Sequence, residues 1–460
     1  LHWTLIVANS LTIIFVFLLG RKLFGSVAGV MACATYAVMA LSPMVLGLMA
    51  HANHFVVLFA VPGVLLLLKA GESQRLSTWF GSGLLFGLGF LMKQQGIVFC
   101  AFGWLVLIWD AWHNQKLLSV RLFQTAVVFG LGMALPFALT VIILAACGVF
   151  PRFWFWTFTY AHIYATVTPL SEGWGMLRSH LRQTRDISFG LWFFAGTGLL
   201  LAWSEKSARR ATTFTGLFWL FSFLGTAIGL YFRPHYFILL LPATALLVGL
   251  GAVQWQRLLH VPKLTNVFQT LPLIFLALAL CWVVYYHAFF YFQWPADRVS
   301  AGIYPSEPFV EAVAVGNYLR DHSAPDAKVA LLGSEPEIFF YGRRHSVSEF
   351  IYTDLLMKPE PVASSMQRDM MREIESNRPD YFVTVNYPYS WALQDGSDHT
   401  ILDWAKGYAA TNCELVGFVH RNAAGAVESV WDDTAKQRFD PNNLSIAVYR
   451  RSPSPRAKAE

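Results

Sequence analysis

Ten apolar runs, all of them before residue 293, are the feature that most constrains this chain. A helix crosses a bilayer with about 20 mostly apolar residues, and inside the hydrocarbon its backbone amides must be satisfied within the helix. Charged residues make up only 13% of the chain, against about 25% in soluble domains. The runs therefore predict a polytopic α-helical membrane protein with spans near 1–20, 24–48, 54–69, 79–92, 97–109, 122–149, 187–203, 213–231, 236–253 and 271–292.

The basic residues of the short loops predict the orientation of these spans. Cytoplasmic loops carry an excess of Lys and Arg. Alternate loops are basic here, and the residues are Arg21, Lys22, Lys69, Arg75, Lys116, Arg121, Lys206, Arg209, Arg210, Arg257 and Lys263. We expect these five loops to be cytoplasmic, which places the loops between them, and everything after residue 292, on the external face. The net charge of +6 comes largely from these loops, so it indicates topology and not nucleic-acid binding.

Residues 293–452 are predicted to form an external α/β domain. Short apolar strands at 328–332 and 381–385 alternate with helical segments, which favours a small α/β layer with a largely parallel sheet. In GSEPEIFFYGRR, Ser334 and Glu337 fit a capping box and Glu335 complements the helix dipole, so we expect a structural role and not anion binding. The tail at 453–460 is predicted to be disordered.

Polar and basic side chains recur at the external ends of the predicted spans. They are His51, His54, Lys93, Gln94, Gln95, Arg233 and His235. Each alone would more often extend into the headgroup region, but together they favour a cavity for an anionic group. For the two histidines of HANH we prefer contact with a phosphate or a sugar hydroxyl, with simple helix capping close behind. A metal would need a third ligand, which the neighbouring external segments lack. No cofactor is assigned, and a divalent metal stays open.

The long segment 150–186 begins with aromatic residues and ends with a basic helical face at Arg178, Arg182 and Arg185. Such a segment is predicted to lie in the membrane interface, with its guanidinium groups on lipid phosphates. Two interpretations stay open: an ordinary interfacial helix, or a gate over a lipid-linked donor. Four of the five cysteines lie in apolar runs, and their spacing indicates neither a disulfide pair nor a metal site.

Four segments resemble the bacterial membrane glycosyltransferases of family 39, which include protein mannosyltransferases and the aminoarabinose transferases of lipid A. The segments are FLLGRKLFGSVAGVMA at 17–32, the helix after HANH, GLLFGLGFLMKQQG at 83–96 and RPHYFILLLPATALLVG at 233–249. GSEPEIFFYGRR and MQRDMMREIESNRPDYFV resemble the external domain of some bacterial members. The resemblance covers about residues 1–255 and implies a GT-C architecture. It also implies sugar transfer from a polyprenyl-phosphate carrier to a lipid, glycan or protein acceptor outside the inner membrane.

The resemblance further implies how such a reaction runs. A carboxylate in the first external loop deprotonates the acceptor hydroxyl, and cationic side chains stabilise the leaving phosphate. Lys93 and Arg233 align with the basic positions expected to face that phosphate. The chain opens at Leu1 inside an apolar run, so we expect the catalytic aspartate of the family to precede Leu1. His54 stands where the second external loop often carries an acid, which makes it a candidate for a hydrogen-bonding or base role.

Two hypotheses follow for the whole chain. The first is an inverting glycosyltransferase of the bacterial inner membrane whose partners are the lipid-linked donor, an acceptor and the membrane lipids, with no nucleic acid. The second is a non-catalytic protein that binds or moves a lipid-linked glycan in envelope assembly, which the lack of a carboxylate at the external mouth favours. An ion-coupled transporter is a weaker third interpretation, because the spans lack carboxylates near their centres.

Overall fold

The computed structural model describes residues 2–113, 119–166, 168–260, 267–305, 307–359, 361–422, 425–440 and 444–453. The chain divides into two compact units, Leu1–Phe292 and Gln293–Glu460. The tail that the sequence predicts to be disordered lies, from residue 454 onward, outside the described residues.

The first unit is built from helices. In chain order they are α1 His2–Phe24, α2 Ser26–Met39, α3 Ala52–Ser73, α4 Leu76–Met92, α5 Ile97–His113, α6 Val120–Ala146, α7 Phe150–Trp154, α8 Tyr160–Thr166, α9 Leu170–Ser204, α10 Arg209–Ala227, α11 Leu241–Leu258, α12 Val267–Tyr286 and α13 Ala288–Phe292. Among the described residues, seven helices are long and apolar enough to cross a membrane, while α2 and α4 are apolar but shorter. The predicted polytopic helical membrane protein is confirmed.

Two predicted span boundaries are wrong, for different reasons. Helix α2 ends at Met39 and does not reach residue 48, because Pro43 starts a short 3₁₀ turn whose first free amide, on Met44, donates to the Ser42 hydroxyl. Helix α9 begins at Leu170, inside the predicted loop, and runs for 35 residues. At 1.5 Å per residue it is about 52 Å long, well beyond a hydrocarbon core of about 30 Å. The span was predicted to start at 187 because charged side chains precede that residue. Charged side chains do not interrupt a helix when they lie on its exposed face.

Helix α11 is the centre of the first unit. Together with the 3₁₀ turn Pro234–Leu240 that leads into it, it forms a span that is 94% buried. Two glycines of α11 let neighbouring helix backbones pack directly against it. A Cβ on Gly249 would lie 2.3 Å from the Ala28 carbonyl oxygen of α2, and a Cβ on Gly251 would lie 2.1 Å from the Phe194 carbonyl oxygen of α9. Small residues let helices in a membrane pack this closely, since lipid supplies no hydrophobic drive between them. The glycines therefore fix where α2 and α9 sit.

The second unit is an α/β domain around one six-stranded sheet. Its helices are α14 Ala296–Ile303, α15 Phe309–His322, α16 Glu337–Gly342, α17 Pro361–Asn377, α18 Pro388–Trp391, α19 Thr400–Asn412 and α20 Asp432–Arg438, and its strands are β1 Lys328–Leu332, β2 His345–Ser346, β3 Tyr381–Val385, β4 Cys413–Arg421, β5 Val427–Trp431 and β6 Ile446–Arg451. The strand order is β2-β1-β3-β6-β4-β5.

The expectation of a largely parallel sheet is wrong. Strand β1 pairs in parallel with β2 and β3, but β3–β6, β6–β4 and β4–β5 are antiparallel. Parallel neighbours need a crossover between them: α16 lies between β1 and β2 in the chain, and α17 leads from β2 to β3 on the other side of β1. Strand β4 follows α19, and a short connection joins it to β5, with which it pairs. This half of the sheet is therefore antiparallel.

The predicted capping box is also wrong. Helix α16 starts at Glu337 behind Pro336, and no side chain caps it. The Ser334 hydroxyl instead donates to the Ser390 carbonyl oxygen at 2.6 Å and accepts from the Thr353 and Asp354 amides. Glu335 is fully buried and accepts from the Ser390 hydroxyl at 2.9 Å. Ser334 therefore joins its own segment to α18 and to the segment at Thr353 and Asp354, because the proline displaces the helix start by two residues.

Candidate functional site

Three breaks between helices place polar side chains at one end of the first unit. His51 is extended (φ −69°, ψ 145°) and occupies the position before α3, with Asn53 and His54 in the first turn. Lys93 is extended (φ −162°, ψ 140°) between the end of α4 and the turn Gln94–Gly96 that opens α5. Arg233 precedes Pro234, which starts the turn into α11. The first break places Asn53 and His54 in the interior, the second leaves Lys93 half-buried, and the third leaves Arg233 exposed.

Asn53 links two of these segments through its side-chain amide. Its Oδ1 accepts from Lys93 Nζ at 2.9 Å, and its Nδ2 donates to Gln95 Oε1 at 3.1 Å. Asn53 is fully buried and Lys93 half-buried, and the two bonds hold the ammonium group in one place. The ammonium also lies 4.4 Å from the centre of the Tyr236 ring, a cation–π distance.

His54 is fixed by a residue that sequence reasoning missed. Its Nδ1 lies 3.0 Å from Oδ1 of Asn9, a buried side chain on α1. Since a carbonyl oxygen only accepts, the hydrogen is on Nδ1 and the lone pair of the neutral ring is on Nε2. Within the described part of the chain, that Nε2 atom is buried and has no hydrogen-bond partner. The one signal for Asn9 was a lone amide in an otherwise apolar helix.

His51 and His235 form a stacked pair of imidazoles. Their ring centres are 4.1 Å apart and their planes differ by 8°. Among the described residues, His51 Nε2 and His235 Nδ1 are buried without a hydrogen-bond partner. Two stacked rings at this distance cannot both carry a proton at low cost, because the charges would repel in a poorly hydrated place. The pair thus offers neutral acceptor nitrogens.

The electrostatic character of this cluster is positive. Burial, reinforced by the nearby Lys93 ammonium, lowers the pKa of His51 to about 4. Burial and then the charge of Arg233 lower the pKa of Lys93 to about 8. At neutral pH His51 is therefore uncharged and Lys93 still mostly protonated. Among the described residues, Lys93 acts on His51 and His235, and Arg233 acts on Lys93 and His235, so the charges at the cluster come from these two basic side chains.

The structure brings together most of the residues predicted for the site and leaves four apart. Gln94 points away, donating from Nε2 to the Thr157 carbonyl oxygen at 3.0 Å. Arg178, Arg182 and Arg185 lie on the exposed face of α9, where Arg185 pairs with Asp186 at 2.8 Å. The described contacts of these four residues do not join them to the histidines.

The donor set of the cluster suits an anion and a hydroxyl better than a metal ion. Among the described residues no three His, Cys, Asp or Glu side chains are placed to hold a metal. Two cationic side chains can stabilise a phosphate, and imidazole nitrogens with free lone pairs can accept a hydroxyl proton. Asn9, Asn53 and Tyr236 complete the cluster without adding charge.

The fold of this chain is similar to those of solved membrane proteins. The chain is similar to ArnT from Cupriavidus metallidurans bound to undecaprenyl phosphate, with TM-score 0.56 and 12% identity over 97% of this chain and 83% of that one. It is also similar to the archaeal oligosaccharyltransferase AglB from Archaeoglobus fulgidus in complex with an inhibitory peptide and a dolichol-phosphate, with TM-score 0.52 and 14% identity over 96% of this chain. The chain spans 64% of the length of AglB. The fold is that of the GT-C membrane glycosyltransferases.

The sequence itself gives a narrower match. Residues 1–140 match the family model described as dolichyl-phosphate-mannose-protein mannosyltransferase. No curated protein matches the chain in sequence. The predicted resemblance to family 39 membrane glycosyltransferases is confirmed at the level of the fold and of this N-terminal match.

Proposed function

We propose that this chain is an inverting glycosyltransferase that moves a sugar from a polyprenyl-phosphate-linked donor to an acceptor at the external face of a bacterial inner membrane. The observation that carries the proposal is a cluster in which the half-buried Lys93 feels the charge of the exposed Arg233, beside buried imidazole nitrogens that have no hydrogen-bond partner among the described residues. The two solved proteins of the same fold hold dolichol-phosphate and undecaprenyl phosphate, and we extend that ligand class to this chain.

In the proposed reaction the acceptor hydroxyl oxygen attacks the anomeric carbon from the side opposite the phosphate. The new carbon–oxygen bond forms as the bond to the phosphate oxygen breaks, which inverts the anomeric centre, and the phosphate leaves with the bonding electrons. Lys93 and Arg233 stabilise the charge that grows on that phosphate. The acceptor proton passes to His54 Nε2, whose lone pair the Asn9 contact keeps available.

The test of this proposal is donor consumption by the reconstituted protein. Liposomes carrying the purified chain receive a radiolabelled pool of polyprenyl-phosphate sugars and a membrane extract as the acceptor source, and released polyprenyl phosphate is measured. Lys93→Ala and Arg233→Ala should each lower release by about a hundredfold, the cost of losing one preorganised charge-stabilising group. Lys69→Ala, an exposed lysine near the other end of α3, is the matched control. Release by both site variants at the control rate would remove these residues from the mechanism.

A second candidate function rests on one specific observation. The charged side chains acting on His51, Lys93 and His235 are Lys93 and Arg233, both positive, which suits capture of a lipid phosphate without hydrolysis or transfer. On this alternative the chain binds or translocates a lipid-linked glycan. Copurification of labelled donor lipid with the protein, in a Lys93-dependent manner and without any release of polyprenyl phosphate, would favour it over catalysis.

We also propose that the second unit is external and that Arg178, Arg182 and Arg185 of α9 contact lipid phosphates. Helix α9 is longer than a bilayer core, so its basic part extends past the hydrocarbon when residues 187–204 span it. Alkaline phosphatase fused after residue 453 should be active in a Gram-negative host, because the enzyme needs the oxidising periplasm. An active fluorescent-protein fusion there, with inactive phosphatase, would place the second unit in the cytoplasm and reverse the assignment.

A further inference from the structure

A cavity lies at the end of the first unit that is opposite the histidine cluster. Its volume is about 440 Å³, within the range of small-molecule sites. The described residues that line it come from the C-terminal ends of α1, α3 and α5 and the N-terminal ends of α4 and α10. His51, Lys93 and Gln95 stand at the other ends of α3, α4 and α5. The cavity is therefore separate from the proposed reaction site.

The wall of this cavity is amphipathic. Leu67, Leu68, Val106 and Phe214 make one part apolar. Trp79 and Trp109 also line it, and tryptophan is the residue that collects at the level of lipid headgroups. A wall of this kind suits a molecule with a hydrocarbon part and a polar part, and not a fully hydrated solute.

The polar part of the wall carries both signs of charge. Asp110 Oδ1 accepts from Arg210 Nη2 at 3.0 Å, and the Arg210 guanidinium lies 6.0 Å from the Trp109 ring centre. Glu72, also in the wall, binds Lys22 Nζ at 2.7 Å. Two carboxylates and one guanidinium thus face the space. Each carboxylate is already paired with a cation, since both oxygens of Glu72 accept from Lys22 and Asp110 accepts from Arg210. A purely anionic headgroup therefore finds no unpaired cation among the described lining residues, whereas a headgroup with an ammonium next to a phosphate can bind the carboxylates and the guanidinium together.

We propose that this cavity binds a zwitterionic phospholipid with a primary ammonium, of the phosphatidylethanolamine type. The ammonium donates to the Glu72 and Asp110 carboxylates, the Arg210 guanidinium donates to the lipid phosphate, and the start of an acyl chain lies along Leu67, Leu68 and Phe214. The protein thereby holds one lipid at the end of the bundle away from the histidines.

Native mass spectrometry of the full chain tests this, after purification in mild detergent and incubation with equal amounts of phosphatidylethanolamine, phosphatidylcholine and phosphatidylglycerol. The blocking variant is Gly71→Leu: Gly71 lines the cavity, and a Cβ there meets only Asp110 Oδ1, at 4.0 Å. Leucine fills the space while favouring the helix over glycine, so α3 should still fold. Gly196→Leu on α9, where a Cβ has no neighbour within 4 Å among the described atoms, is the matched control. Asp110→Asn removes the charge and keeps the shape.

Wild type and Gly196→Leu should retain phosphatidylethanolamine in preference to the other two lipids. Gly71→Leu and Asp110→Asn should retain about tenfold less, as expected for loss of one charge-assisted hydrogen bond or of the space for it. Equal retention by Gly71→Leu and the control would overturn the site. Equal retention of phosphatidylglycerol by wild type would overturn the charge argument, and displacement by equimolar water-soluble phosphoethanolamine would overturn the lipid as occupant. None of these measurements uses sugar transfer, so their results test the lipid site independently of the proposed activity.

Discussion

Replacing Asn9 with leucine should disable His54 without touching it. Asn9 Oδ1 is the acceptor that keeps the ring hydrogen on Nδ1, at 3.0 Å, and leaves the lone pair on Nε2. Leucine is similar in size and accepts no hydrogen bond. The Nδ1 hydrogen then has no partner in a fully buried ring, and the tautomer with hydrogen on Nε2 becomes competitive. That tautomer presents a donor where the proposed reaction needs a base.

The size of the effect follows from the bond that is lost. A neutral hydrogen bond contributes about 0.5–1.5 kcal/mol net, and an unsatisfied buried donor costs about 1–3 kcal/mol. At 1.4 kcal/mol for each factor of ten, kcat/KM should fall about tenfold from loss of the tautomer bias and about a hundredfold if the ring also turns. Asn9→Asp should keep most of the activity, because a carboxylate accepts from Nδ1 and holds the same tautomer.

The assay is release of polyprenyl phosphate at neutral pH, corrected for the folded fraction from a thermal melt of each variant. Thr35→Val is the control: Thr35 is buried in the same unit, and its hydroxyl donates to the Met31 carbonyl oxygen within its own helix, at 2.8 Å. The double variant Asn9→Leu with His54→Ala should be no slower than His54→Ala alone, since Asn9 acts only through the ring. A corrected rate for Asn9→Leu equal to that of Thr35→Val, or additive losses in the double variant, would refute this account of His54.

Three further predictions concern charge and packing. Transfer should decline as the pH rises through about 8, where the half-buried Lys93 ammonium loses its proton. Lys93→Arg should keep its rate to higher pH, because a guanidinium stays protonated there. A pH profile of both proteins checks this, and the same upper pH limit in both would contradict it. Gly251→Leu should prevent α9 from packing on α11 and sharply lower the yield and the melting temperature in detergent, while Gly196→Leu leaves both unchanged. A stable Gly251→Leu protein would disprove the close contact between the backbones of α9 and α11. Burial raises the pKa of Glu335 from 4.5 to about 8 and that of Glu337 to about 7, so the folded second unit holds protons that the unfolded chain releases. Its stability should therefore fall as the pH rises from 4.5 to about 8, which hydrogen exchange of β1 measures. Glu335→Gln should reduce this slope and leave the part due to Glu337, and an unchanged slope in that variant would exclude Glu335 as a source.

The sequence predicted the spans and the grouping of polar segments because both follow from simple rules. Apolar runs must cross the membrane, and the basic loops place HANH, KQQG and RPH at ends of helices on one side. The contacts among them were not predictable. That Asn53 binds Lys93 and Gln95 at once, or that Asn9 meets His54, depends on helix rotations, which are set by packing against neighbours.

The errors have equally local causes. The pattern of Ser334 and Glu337 suits a capping box, but Pro336 starts the helix two residues later, and Ser334 binds other loops instead. The long polar start of α9 resembles a loop to any criterion based on apolar content, yet Gly173, Leu177 and His180 are buried along one face of it. The first part of α9 is amphipathic and the second part is apolar all round. The prediction used apolar content alone, so it found only the second part.

The stacked imidazoles of His51 and His235 join positions 184 apart in the chain, 235 less 51, with planes only 8° from parallel. Flat faces in contact tolerate replacement poorly one at a time, since a branched side chain on either side leaves a gap beside the other ring. Homologous sequences should therefore change these two positions together, two flat side chains in one lineage giving way to two complementary aliphatic ones in another. Such covariation would make this pair a marker for which relatives keep the same contact between these two segments.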